Sequence, residues 1–158
     1  MSQSSTRTDV TYEGDPIDVA AWKAVDGNNN GRINCQIFQR GLVPLGSFSE
    51  TEVKLEPWYE PDLGMLCQID YIDLWNTVEL NGPDIETNGT HFQDFYVLIS
   101  DEPFTGMSLA DAQAAADYQY HQPAGTSARK ASFNELAALG RYVRIQAAAT
   151  TSMKLAEV

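Results

Sequence analysis

Between Phe92 and Ser100 the chain reads Phe-Gln-Asp-Phe-Tyr-Val-Leu-Ile-Ser, an aromatic and β-branched run that is apolar on both faces in its second half. Residues of this kind suit a pleated strand, and a strand without a polar face must be covered on both sides, as in a sandwich. Similar signals recur along the chain. Leu63 to Asn76 carries Ile, Tyr, Leu and Trp between Gly64 and the turn-rich Asn81-Gly82-Pro83-Asp84, which predicts one strand or two joined by a bend. Arg141 to Gln146 repeats the signal after Gly140, and Ser152 to Val158 reads as a short closing strand. Only one stretch predicts helix. Ser108 is a suitable N-cap with Asp111 three residues on, and the Ala-rich segment Ala112 to Asp117 follows, enough for one or two turns. Pro123 to Ser127 and Gly82 to Thr90 read as loops. The expected class is an all-β sandwich with one short helical region.

At 158 residues the chain fits a single domain spanning 1–158, able to bury about two thirds of its unfolded surface. Its 22 acidic and 10 basic residues give a net charge of −12. That balance repels phosphate backbones and anionic headgroups, so nucleic acid is not an expected partner, while neutral ligands and cations are. No apolar run approaches the roughly 20 residues that span a bilayer, so membrane insertion is not expected. Met1-Ser2-Gln3-Ser4-Ser5-Thr6 has no basic-then-apolar signal sequence.

The loop Ala24-Val25-Asp26-Gly27-Asn28-Asn29-Asn30-Gly31 offers Asp and Asn oxygens on a bent, Gly-containing backbone, and the last acidic residue is Glu157 in Leu155-Ala156-Glu157-Val158. Hard oxygen donors are what calcium selects. If the two ends meet, a calcium ion closes the fold. The plainer alternative for Asp26 and Asn28 is a hydrogen-bonded Asx-type turn.

Catalytic groupings are not evident. Cys35 and Cys67 allow one disulfide or two free thiols, and free buried thiols are the expectation. Cys67 sits in an apolar run with no basic neighbour close in sequence, and Cys35 has only Arg32. His91 and His121 have no Ser, Cys or acid at an obvious catalytic spacing. Asp70 and Asp73 fall on opposite faces of a strand unless a bulge intervenes, whereas a glycosidase pair must face one cleft. The expectation is a protein that is not an enzyme. Asn88-Gly89-Thr90 matches a glycosylation sequon in a loop expected to be exposed.

Ser2-Gln3-Ser4-Ser5-Thr6, the Ala24 to Asn28 loop, Pro57-Trp58-Tyr59, Asp62-Leu63-Gly64, Phe95-Tyr96-Val97, Ser100-Asp101-Glu102-Pro103-Phe104, Gly140-Arg141-Tyr142-Val143-Arg144 and Leu155-Ala156-Glu157-Val158 occur in that order. Together they resemble the discoidin domain, also called the coagulation factor 5/8 type C domain, and its relatives the F-type lectins and galactose-binding-like modules. The resemblance runs nearly end to end. It implies a jelly-roll β-sandwich of about eight main strands, non-enzymatic, used on extracellular or cell-surface proteins to hold carbohydrate, lipid headgroups or other proteins. It also implies that the chain is a module of a longer secreted protein.

Carried over by position, the resemblance implies calcium ligands at Lys23, Asp26, Asn28, Ala156 and Glu157. Relatives add a Ser or Thr further along the loop, where this chain has Arg32-Ile33-Asn34-Cys35-Gln36, so Asn34 is the substitute. Fucose-binding F-type lectins carry a His followed at a fixed spacing by an Arg. Counting that spacing on from His91 and His121 lands on Tyr118 and Ala148. Where relatives have Asn-Arg-x-Asp, this chain has Asn76-Thr77-Val78-Glu79, without the cationic donor, so fucose recognition is not expected. The expected ligand loops supply Arg40, Trp75, Asn76, Thr77, Glu79, Asp84 and His91, with the Trp75 indole able to stack on a sugar ring. The competing reading puts Trp75 in the core, and Trp58 and Tyr59 are expected there as a packing pair. Two functions follow: a calcium-stabilised carbohydrate-binding module, or an adhesion module that binds protein or its own copies.

Overall fold

The computed structural model describes residues 2–3, 11–12, 15–16, 49–76, 78–80, 86–88, 94–123, 130–156 and 158. Within them the strands are β1 (Ser2–Gln3), β2 (Thr11–Tyr12), β3 (Asp15–Pro16), β4 (Ser49–Glu50), β5 (Lys54–Leu55), β6 (Trp58–Glu60), β7 (Asp62–Trp75), β8 (Val78–Leu80), β9 (Glu86–Asn88), β10 (Phe95–Ser100), β11 (Tyr118–Gln122), β12 (Lys130–Ala147), β13 (Thr150–Thr151) and β14 (Lys154–Leu155), with one helix, α1 (Leu109–Ala115). The fold is all-β and antiparallel, as the strand signals require.

The main sheet has the order β1-β6-β12-β10-β11, and β7 also pairs with β12. This double pairing organises the sandwich. The C-terminal half of β12 runs beside β10, from Phe95↔Ala147 to Ser100↔Tyr142, and beside β6 at Ile145↔Tyr59. Its N-terminal half runs beside β7 from Lys130↔Trp75, with register shifts between Asn134 and Ala138 and between Gly140 and Tyr142. Glu135 and Ala137 have φ of 58° and 48°, the left-handed region, so the first shift is a bulge that turns the strand sharply.

The bend carries the β7–β12 ribbon over the main sheet. Phe133 packs edge-on against Phe95 at 6.1 Å, and the Tyr120 hydroxyl donates to the Leu136 carbonyl at 3.3 Å. Between the layers lies the core of Tyr59, Ile69, Ile72, Leu74, Phe95, Val97, Ile99, Val143 and Ile145. On the other face of β10, Leu98 packs with Phe104, Leu109 and Ala112. β10 is thus covered on both sides, which is why its sequence has no polar face.

α1 follows the predicted capping pattern. Ser108 Oγ accepts the Asp111 N–H at 3.2 Å and donates to the Asp111 carboxylate at 2.7 Å. The Leu109 N–H donates to Glu56 Oε2 at 2.9 Å, tying the helix start to the turn before β6.

One element differs from the sequence reading. Residues 130–140 form half of the longest strand although Ala131, Glu135, Ala137 and Ala138 are poor strand formers; pairing with β7 overrides local propensity. Among the described residues of Ser152 to Val158, the pairing is by Lys154 and Leu155, with Glu50 and Ser49. At Asp70 and Asp73 the bulge does intervene: the shift lies opposite Asp70, Ile69 and Ile72 are both buried, and Asp70 is exposed with Asp73 half-buried on the outer side.

Candidate functional site

β7 delivers Trp75 to one end of the sandwich. Trp75 faces Lys130 across the ribbon, and the Lys130 ammonium lies 5.5 Å from the indole centroid. The same ammonium is 3.0 Å from Asp73 Oδ2, while Ser132 Oγ donates to Asp73 Oδ1 at 2.7 Å. The Ser132 hydrogen bond, followed by Lys130, holds the Asp73 carboxyl below the usual carboxylate range. Trp75 is therefore half-buried at the ribbon surface, neither fully in the core nor an open platform.

The C-terminal segment docks on this end. The Ala156 N–H donates to the Trp75 carbonyl at 2.8 Å, and Ala156 is fully buried. Along β7 runs a mostly apolar cleft of about 510 Å³, lined by Leu63, Cys67, Tyr71, Asp73 and Trp75 with Val158 at its side. Tyr71 is two-thirds exposed. An aromatic-edged, apolar cleft with two carboxylates, Asp70 and Asp73, offers ring faces for stacking and acceptors for hydroxyls.

The expected site residues fare unevenly. Trp75 borders the cleft, and Asn76 next to it is buried. Glu79 lies in β8, opposite Thr87 of β9. Arg40, Thr77, Asp84 and His91 lie outside the described residues. Of the calcium set, Ala156 is described, whereas Lys23, Asp26, Asn28, Asn34 and Glu157 are not. Among the described residues no group of three or more His, Cys, Asp and Glu is placed to hold a metal. Cys67 is a free thiol whose Sγ lies 3.4 Å from the Met65 carbonyl oxygen; Cys35, Trp22 and most of the Gly82 to Thr90 loop lie outside the described residues.

Sequence reasoning missed an exposed pair. His121 Nε2 is 2.7 Å from Asp94 Oδ1, and the imidazole stacks on Tyr96 with centroids 4.3 Å apart and planes within 7°. Asp94 and His121 are separated by 27 positions, and only the pairing Tyr96↔His121 between β10 and β11 brings them together. Trp58 and Tyr59 behave as expected of a packing pair: Tyr59 is fully buried with its hydroxyl donating to the Met153 carbonyl at 2.9 Å, and Trp58 is capped by the Arg144 guanidinium at 4.3 Å. Burial first, then the nearby Glu50, pushes the Tyr59 phenol well above its ordinary range.

No family model and no curated protein matches the chain. Solved structures do. A mutant lectin-binding domain of Lectinolysin complexed with Lewis b is 22% identical over 99% of this chain and 86% of that one, at a TM-score of 0.66. A Streptococcus pneumoniae fucose-binding module is 22% identical over 99% and 85%, at 0.65. The family 32 carbohydrate-binding module of Clostridium perfringens NanJ in complex with galactose is 13% identical over 99% and 88%, at 0.56. The chain is an antiparallel β-sandwich. More particularly, it shares the fold of these lectin and carbohydrate-binding structures, in keeping with its resemblance to the discoidin group. No helix among the described residues is long and apolar enough to cross a membrane.

Proposed function

We propose that the protein is a non-catalytic, extracellular glycan-binding module, stabilised by calcium and selective for sugars other than fucose. The observation that carries this reading is the cleft along β7, edged by Tyr71 and Trp75, on a fold whose solved neighbours are lectin and carbohydrate-binding modules complexed with Lewis b or galactose. Thr77, where fucose-binding relatives place Arg, supports the exclusion of fucose. A ring stacking on one or two aromatics with few charged donors corresponds to dissociation constants from about 1 mM to 1 μM.

Calcium rests on Asp26, Glu157 and the carbonyls of Lys23, Asn28 and Ala156, with Asn34 as a further oxygen donor. When bound, the ion supplies a cross-link between the early loop and the C-terminus. A glycan array probed with and without calcium tests the proposal. Saturable binding to galactose- or N-acetylgalactosamine-terminated glycans supports it; signal confined to fucosylated glycans overturns the specificity, and silence from folded protein overturns the function.

A further inference from the structure

The end of the sandwich opposite Trp75 carries a second concave surface. Leu66 stands on β7 nine positions before Trp75, Leu139 lies at the bend of β12, Asp101 follows the last residue of β10, Asp117 precedes β11 and Tyr118 opens it. These five residues line one shallow groove of about 370 Å³. Leu66 is 53% exposed, Leu139 47% and Tyr118 37%. Clustered exposed apolar side chains with a polar rim mark an interaction surface, whereas scattered ones do not.

The rim here is acidic. Among the described residues no cation forms a salt bridge with Asp101 or Asp117, although Asp62, Asp73 and Glu60 all have such partners. Two carboxylates beside three exposed apolar side chains make a site whose complement is a positive charge next to an apolar group. The protein's net charge of −12 strengthens that preference at longer range.

We infer that this groove docks a basic, amphipathic segment of another polypeptide, with Lys or Arg against Asp101 and Asp117 and an aliphatic side chain on Leu66, Leu139 and Tyr118. A second copy of this chain would bring a matching acidic rim against the first and is disfavoured. Nucleic acid and anionic lipid are repelled for the same reason. A glycan would find the two carboxylates but only one aromatic ring to stack on, against two along the β7 cleft. The module would then hold a glycan at one end and a protein at the other, and this inference stands whether or not the glycan reading does.

The test uses the full chain and a fluorescein-labelled peptide of alternating Lys and Leu, followed by anisotropy. Versions with Glu in place of Lys, or Ser in place of Leu, are expected to bind at least about tenfold more weakly. The variant Asp101→Asn/Asp117→Asn should weaken binding by about tenfold, and Leu139→Ser should also weaken it. The charge-matched variant Glu52→Gln/Glu135→Gln, which changes no residue lining the groove or the β7 cleft, should bind as wild type. Circular dichroism melts confirm folding of each variant. Equal losses in the groove and control pairs, or equal binding of the Ser-substituted peptide, would reduce the attraction to diffuse surface charge and overturn the inference. So would absence of peptide binding, or binding of a glucosamine oligomer alone with the same sensitivity to Asp101 and Asp117.

Discussion

The Arg144 guanidinium, fully buried, donates from Nε to Glu60 Oε2 at 2.7 Å, and its Nη2 donates to the Phe104 carbonyl at 2.6 Å. The same group lies 4.3 Å from the Trp58 ring and 5.2 Å from that of Phe104. One side chain from β12 thus joins β6 to the loop that leads into α1. Burial lowers the Arg144 pKa from its ordinary value, and the nearby Glu60 carboxylate opposes that shift. Removing one partner leaves a charge stranded in the interior. Arg144→Ala or Glu60→Ala is therefore expected to cost about 3–5 kcal/mol in urea denaturation. Loss below about 1 kcal/mol would mean that water reaches the site.

Gly140 tests the bend. A Cβ there would collide with Ile99 Cγ2 and come within 3.2 Å of the Ser100 carbonyl oxygen. Ile99 is fully buried, so the clash falls on a packed side chain with little room to move. Gly140→Ala should destabilise by about 1–3 kcal/mol, measured by thermal or urea unfolding.

Asp62 supplies a pH signature. Arg141 Nε and Nη2 donate to its two carboxylate oxygens at 2.7 and 3.0 Å, and the Gly64 N–H donates at 2.8 Å. The Arg141 hydrogen bonds, with the Gly64 N–H second, lower its pKa to about 2. A depressed carboxyl stabilises the fold above its unfolded pKa of about 3.9 and loses that contribution as pH falls toward about 2. A carboxyl NMR titration should find Asp62 midpoint near 2, moving up toward the ordinary value in Arg141→Ala. Because the pair is exposed, the effect on melting should be small.

Calcium is tested by chelation. An ion held at about 100 times its dissociation constant adds roughly 2.7 kcal/mol, so removing it should lower Tm by about 5–10 °C for a chain of this size. Asp26→Ala and Glu157→Ala should each abolish the difference. Identical melts with and without chelator would leave the early loop as an Asx-type turn only.

Much of the scaffold was legible because it depends on local signals. Val97, Leu98 and Ile99 announce a strand covered on both faces, and Ser108 with Asp111 announces α1. What was not legible depends on partners distant in sequence. Residues 130–140 become a strand because β7 pairs with them, and nothing in their own composition says so. At the site, Trp75 could be read as a strand end, yet the Lys130 ammonium over its ring and the Ser132 bond to Asp73 come from 55 and more positions away. The Asp94–His121 contact was hidden for the same reason, since each residue alone resembles an ordinary surface group.

The glycan is expected to sit beside Trp75. Isothermal titration of the folded protein in calcium with a galactose-terminated disaccharide is the most direct measurement, run on the wild type and on Trp75→Ala and Tyr71→Ala. Saturable binding between about 1 mM and 1 μM is expected, weakened at least about tenfold by either substitution in variants whose circular dichroism melts show them folded at the assay temperature. Binding that survives both substitutions unchanged, or no heat at ligand concentrations well above the millimolar range, would contradict that expectation.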